Sequence, residues 1–387
     1  MKIAFLTPEY PHPKTGQSGG IGTSIKNLAF GLLSQNVEVR ILVYGQKEEG
    51  VFDDEGICVQ QIKNIKLKGL SWFLTRKKIQ RIINQLYEAQ KIDLIEAPDW
   101  TGITSFIKPK KCPIVIRLHG SDTYFCHLDN RPVKWINTFH EKKALQMADG
   151  LLSVSQYTAD VTNAIFGLDK NFTSIPNPIN THQFRSNNND VKAVKTILYF
   201  GSLIRKKGLL ELPMIFNSVV EKNPEVRLIL IGKDVADIIS GRSSTWQMMQ
   251  ELFSDKAKQQ VAYLGSIPYT EIQSKIEQAT LCVFPSFAEA CPVSWLEAMA
   301  MQKPIVASNI GWAKEIIIDG ESGYLVHPKE HHLFAEKINT LLEHDFLRQD
   351  VGKAARIRVE TFFDIERVAN KNLNFYRELL NKFPKYT

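Results

Sequence analysis

Glu289 and Glu297 stand with seven residues between them, and a helix start falls in the gap. Leu281-Cys282-Val283-Phe284-Pro285-Ser286 has the apolar run of a buried strand. Pro292, with its fixed φ and missing amide hydrogen, suits a first helical position, so a helix is expected from near Pro292. The unpaired amides around Cys291, Val293 and Ser294, with the positive end of that helix, then face whatever lies beyond the strand's carboxyl edge. Such an edge suits an anion or a hydroxylated ligand. Glu289 is expected in the loop at the mouth, and Glu297 about one and a half turns into the helix, inclined back toward its start. Two carboxylates so placed can accept hydrogen bonds from different parts of one polyol, although glutamates at this spacing also occur on plain surface helices. Ala298 to Ser308 reads as a helix end and an apolar strand, completing the strand, loop, helix, strand unit of a parallel sheet.

Three further segments carry chemistry. Gly19-Gly20-Ile21-Gly22 follows the first strand and the proline-rich Pro8 to Pro13, and a helix opens after it; glycines permit close backbone approach, and helix amides favour phosphate. Gly201-Ser202-Leu203-Ile204-Arg205-Lys206-Lys207-Gly208 holds the equivalent place after a later strand and is expected to open a helix from Leu209 to Val220. Its cations either form a solvated turn or neutralise a leaving diphosphate without a metal. His119 ends the strand in Arg117-Leu118-His119-Gly120, where it is either a packed residue or a contact to ligand. Asp53-Asp54-Glu55 reads as a solvated acid cluster rather than a metal motif. Cys291 reads as a small packing residue, because no base is found beside it to activate a thiol. The five cysteines, Cys58, Cys112, Cys126, Cys282 and Cys291, form neither a disulfide framework nor a zinc site pattern.

These loops need a scaffold of alternating strands and helices. One series of strands runs through residues 2–7, 37–43, 92–96, 113–118 and 150–154, and a second through 196–200, 227–231, 261–264, 281–284 and 305–307. The fold class is therefore α/β: two Rossmann-like, doubly wound domains expected to face each other across a cleft. At 387 residues, two domains are also the size expectation. The divisions fall at 1–180, 181–363 and 364–387, with Ile175-Pro176-Asn177-Pro178-Ile179-Asn180 and the polar run Arg185 to Asp190 marking the first.

The chain carries a net charge of +7, of which +5 lies in residues 1–180. It has no recognisable nucleic-acid reader motif, so nucleic acid is not an expected partner. Met1 to Leu6 is already a strand, no secretory leader is read, and no apolar run reaches about 18 residues, so a cytoplasmic protein is expected. Lys63, Lys66, Lys68, Arg76, Lys77, Lys78 and Arg81 surround Leu70-Ser71-Trp72-Phe73-Leu74. This pattern suits either peripheral binding to an anionic membrane at its inner face or a charged helix whose Trp72 and Phe73 are core.

The segment from Glu289 to Glu297 resembles the donor-binding signature of the retaining glycosyltransferases of family four, which have the two-domain GT-B fold. The resemblance covers nearly the whole chain and is strongest from Gly201 to Gly323 and over Gly19 to Gly22. It implies that Glu289 contacts the donor sugar and Glu297 the ribose, with Ala290, Cys291, Pro292 and Val293 lining the donor site. It gives Gly19, Gly20 and Gly22 the place of the family's glycine loop near donor diphosphate and acceptor, and puts His119 near the sugar's anomeric carbon. Lys207-Gly208 match the family's Lys-Gly pair, but Ser202 stands where the family has Arg, which leaves Arg205 open as the second cation. Contacts to the nucleobase near Leu264 and Ile267 are expected through backbone, so the base stays unread. The implied activity is transfer, without a metal or other cofactor, from a UDP- or GDP-sugar to a hydroxyl of a glycan or lipid-linked acceptor, in surface polysaccharide synthesis. A GT-B-type epimerase or hydrolase of nucleotide sugars is the alternative.

Overall fold

The strand Lys2–Thr7 (β1) is all but inaccessible from Ile3 to Leu6, as befits a strand covered by helices on both faces. Around it the computed structural model, which describes residues 1–16, 18–186 and 195–383, builds an eight-stranded sheet. Its other strands are Glu38–Gln46 (β2), Gly50–Asp54 (β3), Ile57–Lys63 (β4), Leu94–Pro98 (β5), Ile114–Leu118 (β6), Gly150–Ser153 (β7) and Thr173–Ser174 (β8). The order is β3-β4-β2-β1-β5-β6-β7-β8, parallel throughout except for β3 against β4.

The hairpin β3-β4 corrects one reading of the sequence. Its two-residue turn, Glu55-Gly56, has φ of 54° and 89°, the left-handed backbone that suits a tight hairpin. Asp54 is not solvated: it is buried and accepts hydrogen bonds from the Tyr10 hydroxyl at 2.6 Å and from Lys26 Nζ at 2.7 Å.

One face of this sheet packs Ile3, Phe5 and Ile41 against the helices Gly20–Leu33 and Ile365–Asn381; the other packs Leu6, Leu42 and Ile95 against the helix Ser71–Glu88. The last helix belongs to this unit, Met1–Pro178 with Asp364–Thr387. Gly31 lets it approach, since a Cβ there would come within 2.9 Å of Ile365. Asp364 caps it, accepting from the Glu366 amide at 3.0 Å. Inside, Arg117 Nε donates to Glu96 Oε1 at 2.7 Å, and the Tyr376 hydroxyl on the last helix donates to Glu96 Oε2 at 2.6 Å.

The second unit, Ile179–Phe363, holds the strands Thr196–Phe200 (β9), Arg227–Ile231 (β10), Val261–Tyr263 (β11), Leu281–Phe284 (β12), Ile305–Ser308 (β13) and Tyr324–Val326 (β14). They pair in the order β11-β10-β9-β12-β13-β14, all parallel. The helix after β9 runs from Leu212 to Lys222, starting three residues later than expected: Arg205–Lys207 form a short 3-10 turn closed by Gly208 at φ 70°, and Gly208 to Glu211 make a further turn, the Glu211 amide donating to Gly208 O at 3.0 Å. Asn187 to Asp190 of the polar run lie outside the described residues. Among the described residues, no helix is long and apolar enough to cross a membrane.

Candidate active site

In the second unit, the sequence motifs converge because β9 and β12 are sheet neighbours and the loops at their carboxyl ends are locked together. Lys206 O accepts from the Phe287 and Ala288 amides at 2.8 and 3.2 Å, tying the cationic turn to the acidic loop. Gly208 packs so tightly under that loop that a Cβ would overlap the Pro285 carbonyl oxygen, and its φ is left-handed as well. Gly208→Ala is therefore expected to destabilise the protein by well over about 1 kcal/mol, the level at which an incompatible φ alone acts. Thermal melting with and without a nucleoside diphosphate checks this; unchanged melting would contradict the packing described.

This clamp sets Lys207 Nζ 3.0 Å from Glu289 Oε1, with the Ser286 hydroxyl 3.2 Å from the same oxygen. The helix Val293–Ala300 begins one residue later than Pro292's expected role as first helical residue requires. Pro292, at ψ 118°, is the cap residue that leads the chain in. A fixed φ near −65° fits both positions, so proline alone does not choose between them.

Glu297 is buried and accepts from the Tyr269 hydroxyl at 2.5 Å. Burial raises its pKa to about 7, against the opposing pull of the Tyr269 hydroxyl and the Lys207 charge. Lys207 therefore acts electrostatically on Glu297 while pairing directly with Glu289. Ala290, Cys291 and Val293 are buried in the same loop and helix start. Leu264 is exposed and Ile267 half-buried after β11, around Gly265 at φ 68°.

Arg205 is paired with Asp237. Its guanidinium forks onto Asp237 at 2.8 and 2.7 Å, a pair that holds the Asp237 carboxyl well below the usual range. Ser202, where an arginine was looked for, is exposed, and its carbonyl accepts from the Tyr199 hydroxyl at 2.9 Å. The structure thus brings together Lys207, Glu289 and Glu297, and sets Arg205 with Asp237. Tyr269 and Asp237 escaped the sequence reading because neither lies in a motif; each is found only by its partner.

In the first unit, Gly19 caps the helix Gly20–Leu33, with Gly20 and Gly22 in its first turn. A carboxylate missed in the sequence already sits there: Glu9 Oε1 accepts from the Gly22 amide at 2.9 Å, a favourable place for negative charge. His119 follows β6 and is buried, and its amide donates to Asp99 Oδ1 at 2.9 Å. Burial, helped by the Arg117 charge, pushes its imidazole down to about 3, so at neutral pH the ring is uncharged and offers one donor and one acceptor. Asp99, just past β5, is itself raised to about 7 by burial, although the backbone amides of His119 and Gly120 oppose the shift. Its place at the end of the strand beside β6 was the signal available for it.

Residues 18–183 match the family described as Glycosyltransferase Family 4, and residues 180–358 match Glycosyl transferases group 1. The chain is a family-four-like glycosyltransferase. This glycosyltransferase is similar to the D-inositol 3-phosphate glycosyltransferase of Paenarthrobacter aurescens, at 23% identity over 98% of either chain. Among solved structures it is similar to sucrose-phosphate synthase from Thermosynechococcus elongatus, with a TM-score of 0.79, 20% identity, and coverage of 99% of this chain and 100% of that one. Anabaena HepE, solved in complex with UDP-glucose, aligns with a TM-score of 0.72 and 21% identity over 98% of this glycosyltransferase and 100% of HepE. At these identities the structural likenesses establish the fold alone, and that fold is GT-B.

Proposed function

We propose that this glycosyltransferase moves a sugar, with retention of configuration, from a UDP- or GDP-sugar to a hydroxyl of a glycan or lipid-linked acceptor in surface polysaccharide synthesis. The observation that carries the proposal is the Lys207–Glu289 ion pair, whose cation also acts on the buried carboxylate of Glu297. A cation paired with one carboxylate and acting on a second, at the carboxyl edge of a parallel sheet, suits a sugar diphosphate with its attached ribose. The UDP-glucose bound by HepE supports the nucleotide-sugar part of the reading.

Glu297 takes the ribose hydroxyls and Glu289 the transferring sugar, while Lys207 and the amides from Cys291 to Ser294 meet the diphosphate. As the glycosidic bond breaks, negative charge grows on the leaving phosphate; Lys207 stabilises that charge, and the phosphate accepts the proton of the attacking hydroxyl on the same face. The neutral His119 imidazole hydrogen-bonds the sugar, and Gly19, Gly20 and Gly22 allow close backbone approach. No metal takes part, and the enzyme works in the cytoplasm, with an anionic membrane face as a further partner.

Turnover is expected to persist in excess EDTA, measured as release of nucleoside diphosphate in the presence of acceptor. Loss of turnover restored by magnesium would overturn the metal-independent site. Equal release without any acceptor would favour the hydrolase alternative, and conversion to a second nucleotide sugar with no diphosphate released would favour the epimerase.

A further inference from the structure

The basic, aromatic segment after β4 acquires a different shape in three dimensions from the one its sequence suggests. Arg76 is buried and donates to the Gly102 carbonyl, and Lys78 is paired with Glu49, so two of the cations read as surface-binding have partners within the protein. Trp72, however, is not core: it is 44% exposed at the start of the helix Ser71–Glu88. Its ring meets Phe106 at 5.9 Å, and Phe106 in turn meets Phe139 at 6.1 Å. Phe139 lies one turn along the helix Trp135–Met147 from Trp135, so the two share a face. Trp135 is 75% exposed, and Ile136 beside it is exposed as well. Three separate segments of the first unit thus join their apolar side chains in one outward strip.

The charge of these segments is one-sided. Residues 63–81, 100–111 and 130–140 contain twelve Lys and Arg and no Asp or Glu; Arg76 is buried, and Lys78, Lys110 and Arg131 pair with acidic side chains outside these stretches. Lys143 lies over the Phe106 ring at 5.9 Å, Lys77 over Phe73 at 5.6 Å, and Lys66, Lys68 and Lys134 are exposed.

We propose that this strip, from Trp72 through Phe106 and Phe139 to Trp135, docks the protein on an anionic lipid surface. Indole and phenyl rings suit the headgroup boundary, Ile136 and the exposed Leu70 supply aliphatic bulk for the acyl edge, and the lysines meet anionic headgroups. A second copy of the chain fits worse, because the joined faces would bring like charges together. Nucleic acid fits worse too, since the aromatic rings are interleaved with the exposed aliphatic side chains of Ile136 and Leu70, which neither stack nor pair with bases, and the sequence carries no reader motif. The surface belongs to the first unit and stands independently of the donor chemistry.

The test is flotation of the full chain with vesicles of phosphatidylcholine alone and of phosphatidylcholine mixed equally with phosphatidylglycerol. The protein should float with the mixed vesicles only, and high salt should release it. Lys68→Gln with Lys134→Gln should weaken binding roughly thirtyfold at low salt, at about 1 kcal/mol per lysine. Trp135→Ser with Phe139→Ser should abolish it, while thermal melting and nucleotide binding stay as in the parent. Tryptophan emission should shift to the blue on binding, and Trp72→Phe with Trp135→Phe should remove most of that shift. The proposal is overturned if the mixed vesicles do not retain the protein or if the Trp135/Phe139 variant floats like the parent. It is equally overturned if that variant instead breaks up a dimer, or if single-stranded DNA binds the strip in preference to lipid.

Discussion

Lys207→Ala is expected to lower turnover about a hundredfold to a thousandfold, the usual consequence of removing a group that meets charge developing as the leaving group departs. The charge sits on a defined stem: the turn Arg205–Lys207 is pinned through Lys206 O to the Phe287 and Ala288 amides, and Gly208 closes it against Pro285. Loss of the ammonium also strips Glu289 of its ion partner, so some stability should be lost along with turnover. Lys207→Arg separates the two effects. It keeps the charge and should recover stability fully and turnover in part, since a guanidinium delivers its charge with different geometry. A fall in kcat with little change in KM would place Lys207 in the transition state. Wild-type kcat in a folded Lys207→Ala protein would remove it from the reaction.

Glu96→Ala should give the largest loss of stability among these substitutions, about 3–5 kcal/mol, the usual cost of leaving one member of a buried pair alone. Arg117, buried in the same sheet, would keep its charge with no carboxylate to meet it, and the Tyr376 hydroxyl would lose its acceptor. Since Tyr376 lies on the last helix, the helix Ile365–Asn381 should loosen from the first unit, and its amides should exchange hydrogen faster. For a unit of roughly 200 residues, such a loss lowers melting by about 10 °C. Unchanged melting with unchanged exchange would show that the Glu96, Arg117 and Tyr376 cluster does not hold the last helix in place.

What was legible in the sequence was local. Buried strands such as Ile3 to Leu6 and Ile197 to Phe200 announce themselves as apolar runs, and glycine-rich loops after them mark the carboxyl edges of the sheets. The hairpin β3-β4 stayed hidden because Asp53-Asp54-Glu55-Gly56 looks hydrophilic, and only the fold shows Asp54 turned in to Tyr10 and Lys26. The helix after β9 was expected from Leu209, and it starts at Leu212, after the short 3-10 turn at Arg205–Lys207.

In the site, Lys207, Glu289 and Glu297 could be named from their motifs, but their partners could not. Tyr269 reaches Glu297 across 28 residues, Arg205 reaches Asp237 across 32, and Asp99 holds the His119 amide across 20. Each of these depends on which strands are neighbours, and spacing along the chain carries no such information. The Arg205–Asp237 fork in particular gives that arginine a carboxylate partner that no motif signals.

The central claim is that the edge of the second sheet binds a nucleotide sugar with Glu297 on the ribose and Glu289 on the sugar. A paired titration of free UDP and GDP into the parent, Glu297→Ala and Glu289→Ala proteins tests it most directly. It should be run above pH 7, where Glu297 is ionised despite its raised pKa and can accept hydrogen bonds from ribose hydroxyls. One of the two nucleotides should bind the parent, and Glu297→Ala should weaken it by about 1.5–3 kcal/mol, the contribution of a hydrogen bond to a charged group. Glu289→Ala should bind the free nucleotide as the parent does and fail only with the sugar attached. If neither nucleotide binds the parent, or if Glu289→Ala and Glu297→Ala lose the free nucleotide equally, the assignment of the two carboxylates is contradicted.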